Sequence, residues 1–227
     1  KKWAFLADYV RAYAIYNYGG VYLDTDVEVI KPFDDLLENN ICFSGFEDKE
    51  YVAPGLAFAG EKGCVIAKEL MGFYKDFRFT STTAPLNTVP KILTNLLLKY
   101  GLQQNNTYQN LKNIAVYPSE YFCPKSYKTG TLTLTDNTYS IHHYKASWVS
   151  DKEKKKIEER WHIFDKYGDN ELSNKLAVLV ENDITEMPIG CACKIILKRI
   201  VKKILGRKLF NFLKKCKHSN SVNHGTY

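Results

Sequence analysis

The chain has no CxxC pair among its six cysteines, Cys42, Cys64, Cys123, Cys191, Cys193 and Cys216, which excludes the usual zinc fingers and ribbons. The economical reading is reduced thiols in a cytosolic protein, with Cys191-x-Cys193 the one spacing that redox or metal chemistry could use. It also lacks an apolar run long enough to span a bilayer in the basic segment near its end, where charges interrupt the apolar residues. From Lys194 to Lys217 it has no acidic residue but ten basic ones. Taking those ten from the net charge of +7 leaves −3 for the rest, so the body is mildly acidic and offers no nucleic-acid groove. The first residue is Lys1, not Met, and the chain opens inside a helical pattern.

What is present is a large apolar and aromatic content, 45% hydrophobic with 16 Tyr and 12 Phe, which indicates a packed globular protein. A length of 227 residues suits one core plus an appendage. The most informative stretch lies near the start. Trp3, Leu6, Tyr9, Val10, Tyr13, Ile15 and Tyr16 recur at near-helical spacing, and Asp8 and Arg11 share one face. Gly19-Gly20 stops this helix, and Val21-Tyr22-Leu23 reads as a short buried strand delivering Asp24 and Asp26 at its end. Alternation puts both aspartates on one side, with Thr25 pointing away. Two carboxylates on the rim of a buried strand are costly unless a cation lies between them, and a hard divalent ion carrying a polyphosphate is the expected one.

An Asp-x-x-Arg helix, a Gly-Gly turn and a Tyr-Leu-Asp-x-Asp strand end resemble the DxD sugar-nucleotide region of glycosyltransferase family 32, which is related to the large clostridial glucosylating toxins. The resemblance runs from Lys2 to Trp148. It implies an α/β fold of the GT-A type, a mixed sheet flanked by helices, with strand–helix units expected ahead of Lys1. It further implies that Asp26 binds Mn2+ (or Mg2+) directly, while Asp24 holds the ion through water and contacts the donor's ribose or sugar. Tyr22 would lie beside the ribose, Asp8 would bond hydroxyls of the donor sugar, and Arg11 would sit by sugar and phosphate.

Downstream, Val27–Ile30 reads as a continuing strand, 32–37 as a helical turn, 41–46 as a strand, and 51–60 as a strand whose small residues admit a close backbone or ligand. Helical patterns follow at 64–77 and after Val89-Pro90. Asn87 and Thr88 stand where the family places a donor or acceptor contact, or else they cap that helix. Ile114–Tyr117 is a strand, closed by 121–124, and Tyr139–Trp148 carries adjacent histidines. His143 lies five residues before Trp148, the spacing of a metal ligand in the related toxins, while alternation turns His142 into the fold. Ser147 and Trp148 would cover the phosphates and exclude water.

The expected organisation is a catalytic domain over 1–150, a helical extension over 151–193 and a basic amphipathic tail over 194–227, whose segment 194–217 would lie on an anionic membrane surface. The function implied is metal-dependent transfer of a sugar from a UDP- or GDP-sugar to a saccharide acceptor, free or lipid-linked, with retention, in capsular or surface polysaccharide synthesis. The setting would be the cytoplasmic face of a bacterial membrane. No carboxylate nucleophile stands out, which leaves the catalytic group open. Two other readings stay in play. Asp24-Thr25-Asp26-Val27 after a hydrophobic strand also fits a haloacid-dehalogenase-type phosphatase, and the chain could be a non-catalytic membrane-bound saccharide-binding module.

Overall fold

The computed structural model describes residues 3–76, 88–145 and 149–181. Asn87, Ser147, Trp148, Cys191, Cys193, Cys216 and the basic tail 194–217 lie outside the described residues. The chain divides into two units, Lys1–Lys154 and Lys155–Tyr227.

The first unit opens with helix α1 (Trp3–Tyr18), which Gly19 ends in the left-handed conformation (φ +71°) with its N–H donating to the Ile15 carbonyl. Strand β1 (Gly20–Tyr22) follows, and then β2 (Val27–Val29), so the expected continuous strand is interrupted. A turn closed by Val27 N–H donating to Asp24 O at 3.0 Å separates the two. Next come α2 (Asp34–Asn39), β3 (Cys42–Phe46), β4 (Val52–Ala53) and β5 (Phe58–Gly60). The small-residue stretch 51–60 is therefore two short strands about a turn at Pro54–Leu56. Helices α3 (Val65–Asp76) and α4 (Val89–Leu98) precede β6 (Gln109–Asn110), β7 (Ile114–Tyr117), α5 (Ser119–Phe122) and β8 (Ser140–His142).

The main sheet runs β1-β5-β3-β7-β6, with β4 paired to β3. Only β3 and β7 are parallel, so the sheet is mixed. Every residue of those two strands is buried, as expected where both faces of a sheet are covered. Alternation along β3 sorts the core. Cys42 and Phe46 pack with Ala12 and Ile15 of α1, Ile66 and Leu70 of α3, and Leu93 and Leu97 of α4. Phe43 and Gly45 face the other way, onto the Phe122 ring. There Phe33, Phe43, Tyr117, Tyr121 and Tyr139 surround Phe122, with ring centroids 5.7–6.4 Å away. This is the expected α/β class, a mixed sheet flanked by helices. A separate two-stranded ribbon, β2 with β8, is antiparallel in the register Val27↔His142, Glu28↔Ile141, Val29↔Ser140.

Helices α6 (Asp151–Tyr167) and α7 (Glu171–Glu181) carry the chain into the second unit. Ile163 packs with Leu176 and Val180, and Arg160 is bonded to Glu181 at 2.9 Å. No helix among the described residues is long and apolar enough to cross a membrane.

Phe122 is fully buried, and Gly45 is moulded to it: a Cβ there would come within 2.5 Å of its Cδ2. Phe122→Ala should therefore lower the unfolding free energy by about 3–5 kcal/mol in urea denaturation.

Candidate functional site

Arg11 lies on the face of α1 turned towards the end of β1, and its buried guanidinium joins two carboxylates. Nη2 is 3.1 Å from Asp8 Oδ1 on its own helix and 3.3 Å from Asp24 Oδ1. The Tyr22 ring lies under the guanidinium, 4.7 Å from Cζ to centroid, and the Tyr22 hydroxyl donates to Asp24 Oδ1 at 2.9 Å. Tyr74 of α3 donates to Asp8 Oδ2 at 3.2 Å. Burial pushes the Asp8 carboxyl up to about 6, against the pull of Arg11 and the Tyr74 hydrogen bond. Burial also raises the Tyr22 phenol to about 12, despite Arg11 and with help from the Asp24 charge.

Asp24 is set at the head of the turn after β1, where its N–H donates to Gly55 O at 2.9 Å. Gly55 leaves room for this pair: a Cβ there would stand 2.1 Å from Asp24 Oδ2 and 3.1 Å from Arg11 Nη1. The turn, not a straight strand, brings Asp26 back beside Asp24. Asp26 is held from the ribbon side, since its carbonyl accepts from His143 N–H and its Oδ2 accepts from Lys145 N–H, both at 2.9 Å.

The ladder register alone does not choose the histidine. Val27 is paired with His142, so Asp26 stands one step further along, opposite His143, whose N–H donates to the Asp26 carbonyl. Asp26 belongs to the turn ahead of β2, however, and its side chain meets His142, whose Nε2 lies 3.2 Å from Asp26 Oδ1, while His143 Nε2 lies 2.7 Å from Glu28 Oε2 on the exposed side. Spacing from Trp148 selects His143, whereas the structure brings His142 to the carboxylates and keeps it half-buried, as alternation along its strand suggested. Single ligand atoms of Asp24, Asp26 and His142 lie within 4.8 Å of one another, the one such group of three among the described residues.

The donor set fits a hard divalent ion. It offers two carboxylate oxygens and an imidazole, and burial lowers the His142 pKa, keeping the ring neutral with a lone pair to give. Among the described residues Arg11 is paired with Asp8 and Asp24, and Asp26 with the His142 imidazole, so three carboxylates share one fixed cation and the cluster carries surplus negative charge. Arg11 Nε and His142 Nδ1 are buried without a hydrogen-bond partner, which leaves polar capacity unused at the site.

A second layer backs His142. Tyr144 is buried with positive φ (+57°), and its ring meets His142 edge-on at 4.3 Å. Its hydroxyl lies 2.9 Å from Cys123 Sγ and is hydrogen-bonded with Glu47 at the end of β3. Burial pushes Glu47 up to about 7, with the Asp48 and Asp24 charges adding to the shift and the Tyr144 hydrogen bond opposing it. Burial raises the Cys123 thiol to about 12. Thr88 is exposed at the N-cap of α4, makes no capping bond through its side chain and takes no part in the cluster's hydrogen bonds. Asp8, Arg11, Tyr22, Asp24 and Asp26 are thus brought together, and Asn87, Ser147 and Trp148 lie outside the described residues. Sequence reasoning missed Gly55, Tyr74, Glu47 and Tyr144, for which the small residues at 53–60 were the single visible signal.

Residues 1–42 match the family described as glycosyltransferase sugar-binding region containing DXD motif. The matched segment is a glycosyltransferase-type region, points to transferase activity, and contains Asp8, Arg11, Tyr22, Asp24 and Asp26. No curated protein and no solved structure matches the chain.

Between pH 4.5 and 7 the folded chain keeps a proton on Glu47 that the unfolded chain has released. Stability from this group therefore falls as pH rises through that window. Glu47→Gln removes the penalty, so its melting temperature relative to wild type should climb from pH 5 to pH 8. A pH-independent difference in scanning calorimetry would contradict this assignment.

Proposed function

We propose that this chain is a metal-dependent glycosyltransferase that takes a sugar from a nucleotide-diphosphate sugar and delivers it to a saccharide hydroxyl. The observation that carries the reading is the gathering of Asp24, Asp26 and His142 around one small volume beside the Arg11–Asp8 pair, within and next to a DXD-type segment. Asp24, Asp26 and His142 would hold the ion, with manganese preferred over magnesium by the imidazole. A divalent ion held there would supply positive charge to the diphosphate leaving group.

In this reading Asp26 is the firmest ligand, because two backbone N–H groups already fix its carbonyl and carboxylate. Arg11 directs fixed donors at anionic oxygens of the donor, and its unpartnered Nε gives it one bond to spare. Asp8, tied to Arg11 and Tyr74, presents a carboxyl to sugar hydroxyls, and Tyr22 lines the ribose. Transfer with retention by a front-side route asks no carboxylate nucleophile of the protein, consistent with the lack of an evident one. Ser147 and Trp148 would close over the phosphates, and Asn87 and Thr88 would contact donor or acceptor. The relationship to family 32, capsular or surface-glycan synthesis, a lipid-linked acceptor and anchoring of 194–217 on the inner face of a bacterial membrane complete the proposal.

Titration calorimetry with UDP- and GDP-sugars, with and without Mn2+, tests it. One nucleotide should bind in a metal-dependent way, at least about tenfold weaker in Asp26→Ala and in His142→Ala, with His143→Ala near wild type. Turnover of a phosphomonoester, indifferent to sugar nucleotides, would sink the reading in favour of a phosphatase.

Gly55→Ala probes the same site without removing a charge. The added methyl cannot share space with Asp24 Oδ2, so the carboxylate must move. Metal-dependent nucleotide binding should fall at least about tenfold, while circular dichroism reports an intact fold.

A further inference from the structure

Cys42 opens β3, and Cys64 stands immediately before α3, 22 residues later. Their sulfurs share a hydrogen bond at 3.2 Å, and both side chains are buried. Two features of the fold bring them together. Cys42 pairs across the sheet with Gly60, and a Cβ on Gly60 would lie 2.9 Å from both Cβ and Sγ of Cys64. The missing side chain at Gly60 is thus the space in which Cys64 sits. A disulfide is about 2.05 Å long, so the sulfurs need to approach by only roughly 1 Å.

We propose that Cys42 and Cys64 form an oxidisable dithiol, a modification site that closes to a disulfide linking β3 to the amino end of α3. The two thiols are not equivalent. Cys64 is drawn down to about 7 by its bond with Cys42 and by the backbone N–H groups of Ala67 and Ile66 at the start of α3, while Cys42 is raised. Cys64 is therefore the attacking thiolate and Cys42 the resolving thiol. Both side chains are buried, so the oxidant has to be a small one such as hydrogen peroxide, reaching the pair through local opening of the fold. The Cys64 thiolate attacks one peroxide oxygen and releases hydroxide, giving a sulfenic acid. The Cys42 thiol then displaces its hydroxyl as water. In sum two thiols lose two hydrogens to form one S–S bond, and peroxide is reduced to two waters. Cys123, the other described cysteine, has the Tyr144 hydroxyl and not a second thiol against its sulfur, at 2.9 Å. This inference does not depend on the proposed transferase activity.

The test treats the whole folded chain with hydrogen peroxide, quenches by alkylation in acidic denaturant and maps peptides by mass spectrometry. The expected result is a Cys42–Cys64 cross-linked peptide that dithiothreitol abolishes, with a higher melting temperature for the oxidised form. In Cys42→Ser the link should vanish and Cys64 should be captured by dimedone as a sulfenic acid. Recovery of Cys42 and Cys64 alkylated as free thiols after peroxide treatment of wild type, or linked to other cysteines, overturns the proposal whether or not the variant folds.

Discussion

Arg11 is a guanidinium placed where water barely reaches it, and the first forty residues and the Gly55 turn are shaped by the need to compensate that charge. It has to meet carboxylates on both sides, Asp8 one helical turn back and Asp24 beyond the end of β1. Stripping a partner from a buried ion pair costs about 3–5 kcal/mol, so the pairing constrains how α1 and β1 meet. Gly19 and Gly20, both at positive φ, reverse the chain sharply enough to bring the strand end back alongside the helix. Gly55 completes the arrangement by leaving the space that Asp24 and Arg11 fill.

How far this could be read from the sequence follows the range of the interactions. The Asp8–Arg11 face, the Gly-Gly stop and the Asp24/Asp26 pair are local, and three- and two-residue periodicities announce them. The interruption between β1 and β2 is also local, and its sign is the polar run Asp24-Thr25-Asp26 between two apolar segments, which a reading of Val27–Ile30 as a continuing strand passes over. The choice of His142 over His143 is different in kind. Alternation says that the two face opposite ways, but the pairing of β2 with β8 joins residues up to 115 apart, and the Asp26 side chain meets His142 from a turn that neither strand's pattern shows. Counting back from Trp148 supplies a position along the chain, whereas the Asp24–Asp26–His142 group is set by where the turn after β1 carries Asp26.

The same distinction separates the family match from the site. The matched residues, 1–42, supply one wall: the helix, the turn and both aspartates. His142, Tyr144, Glu47, Tyr74 and Gly55 come from later segments of the chain, and they fix the geometry that a bare DxD lacks. An isolated Asp-x-Asp is a common accident. An Asp-x-Asp whose second carboxylate accepts from Lys145 N–H and abuts a neutral imidazole is a built site.

Charge balance then gives the site its sense. Asp8 and Glu47 lie on opposite sides of the Asp24–Asp26 turn in their bonding, one to Arg11 and Tyr74, the other to Tyr144, and burial raises both. A fold selected for stability alone would thin out these acids or add a second cation. Keeping them beside a half-buried imidazole that burial holds neutral leaves the ground state short of positive charge. The deficit is local, directional and offset by a divalent ion far better than by a proton, because an ion can bond Asp24, Asp26 and His142 at once while a proton neutralises one oxygen. On the proposed reading the cluster is a receptor for positive charge more than a set of salt bridges, and Arg11 is the fixed cation that keeps it from being wholly repulsive without an ion.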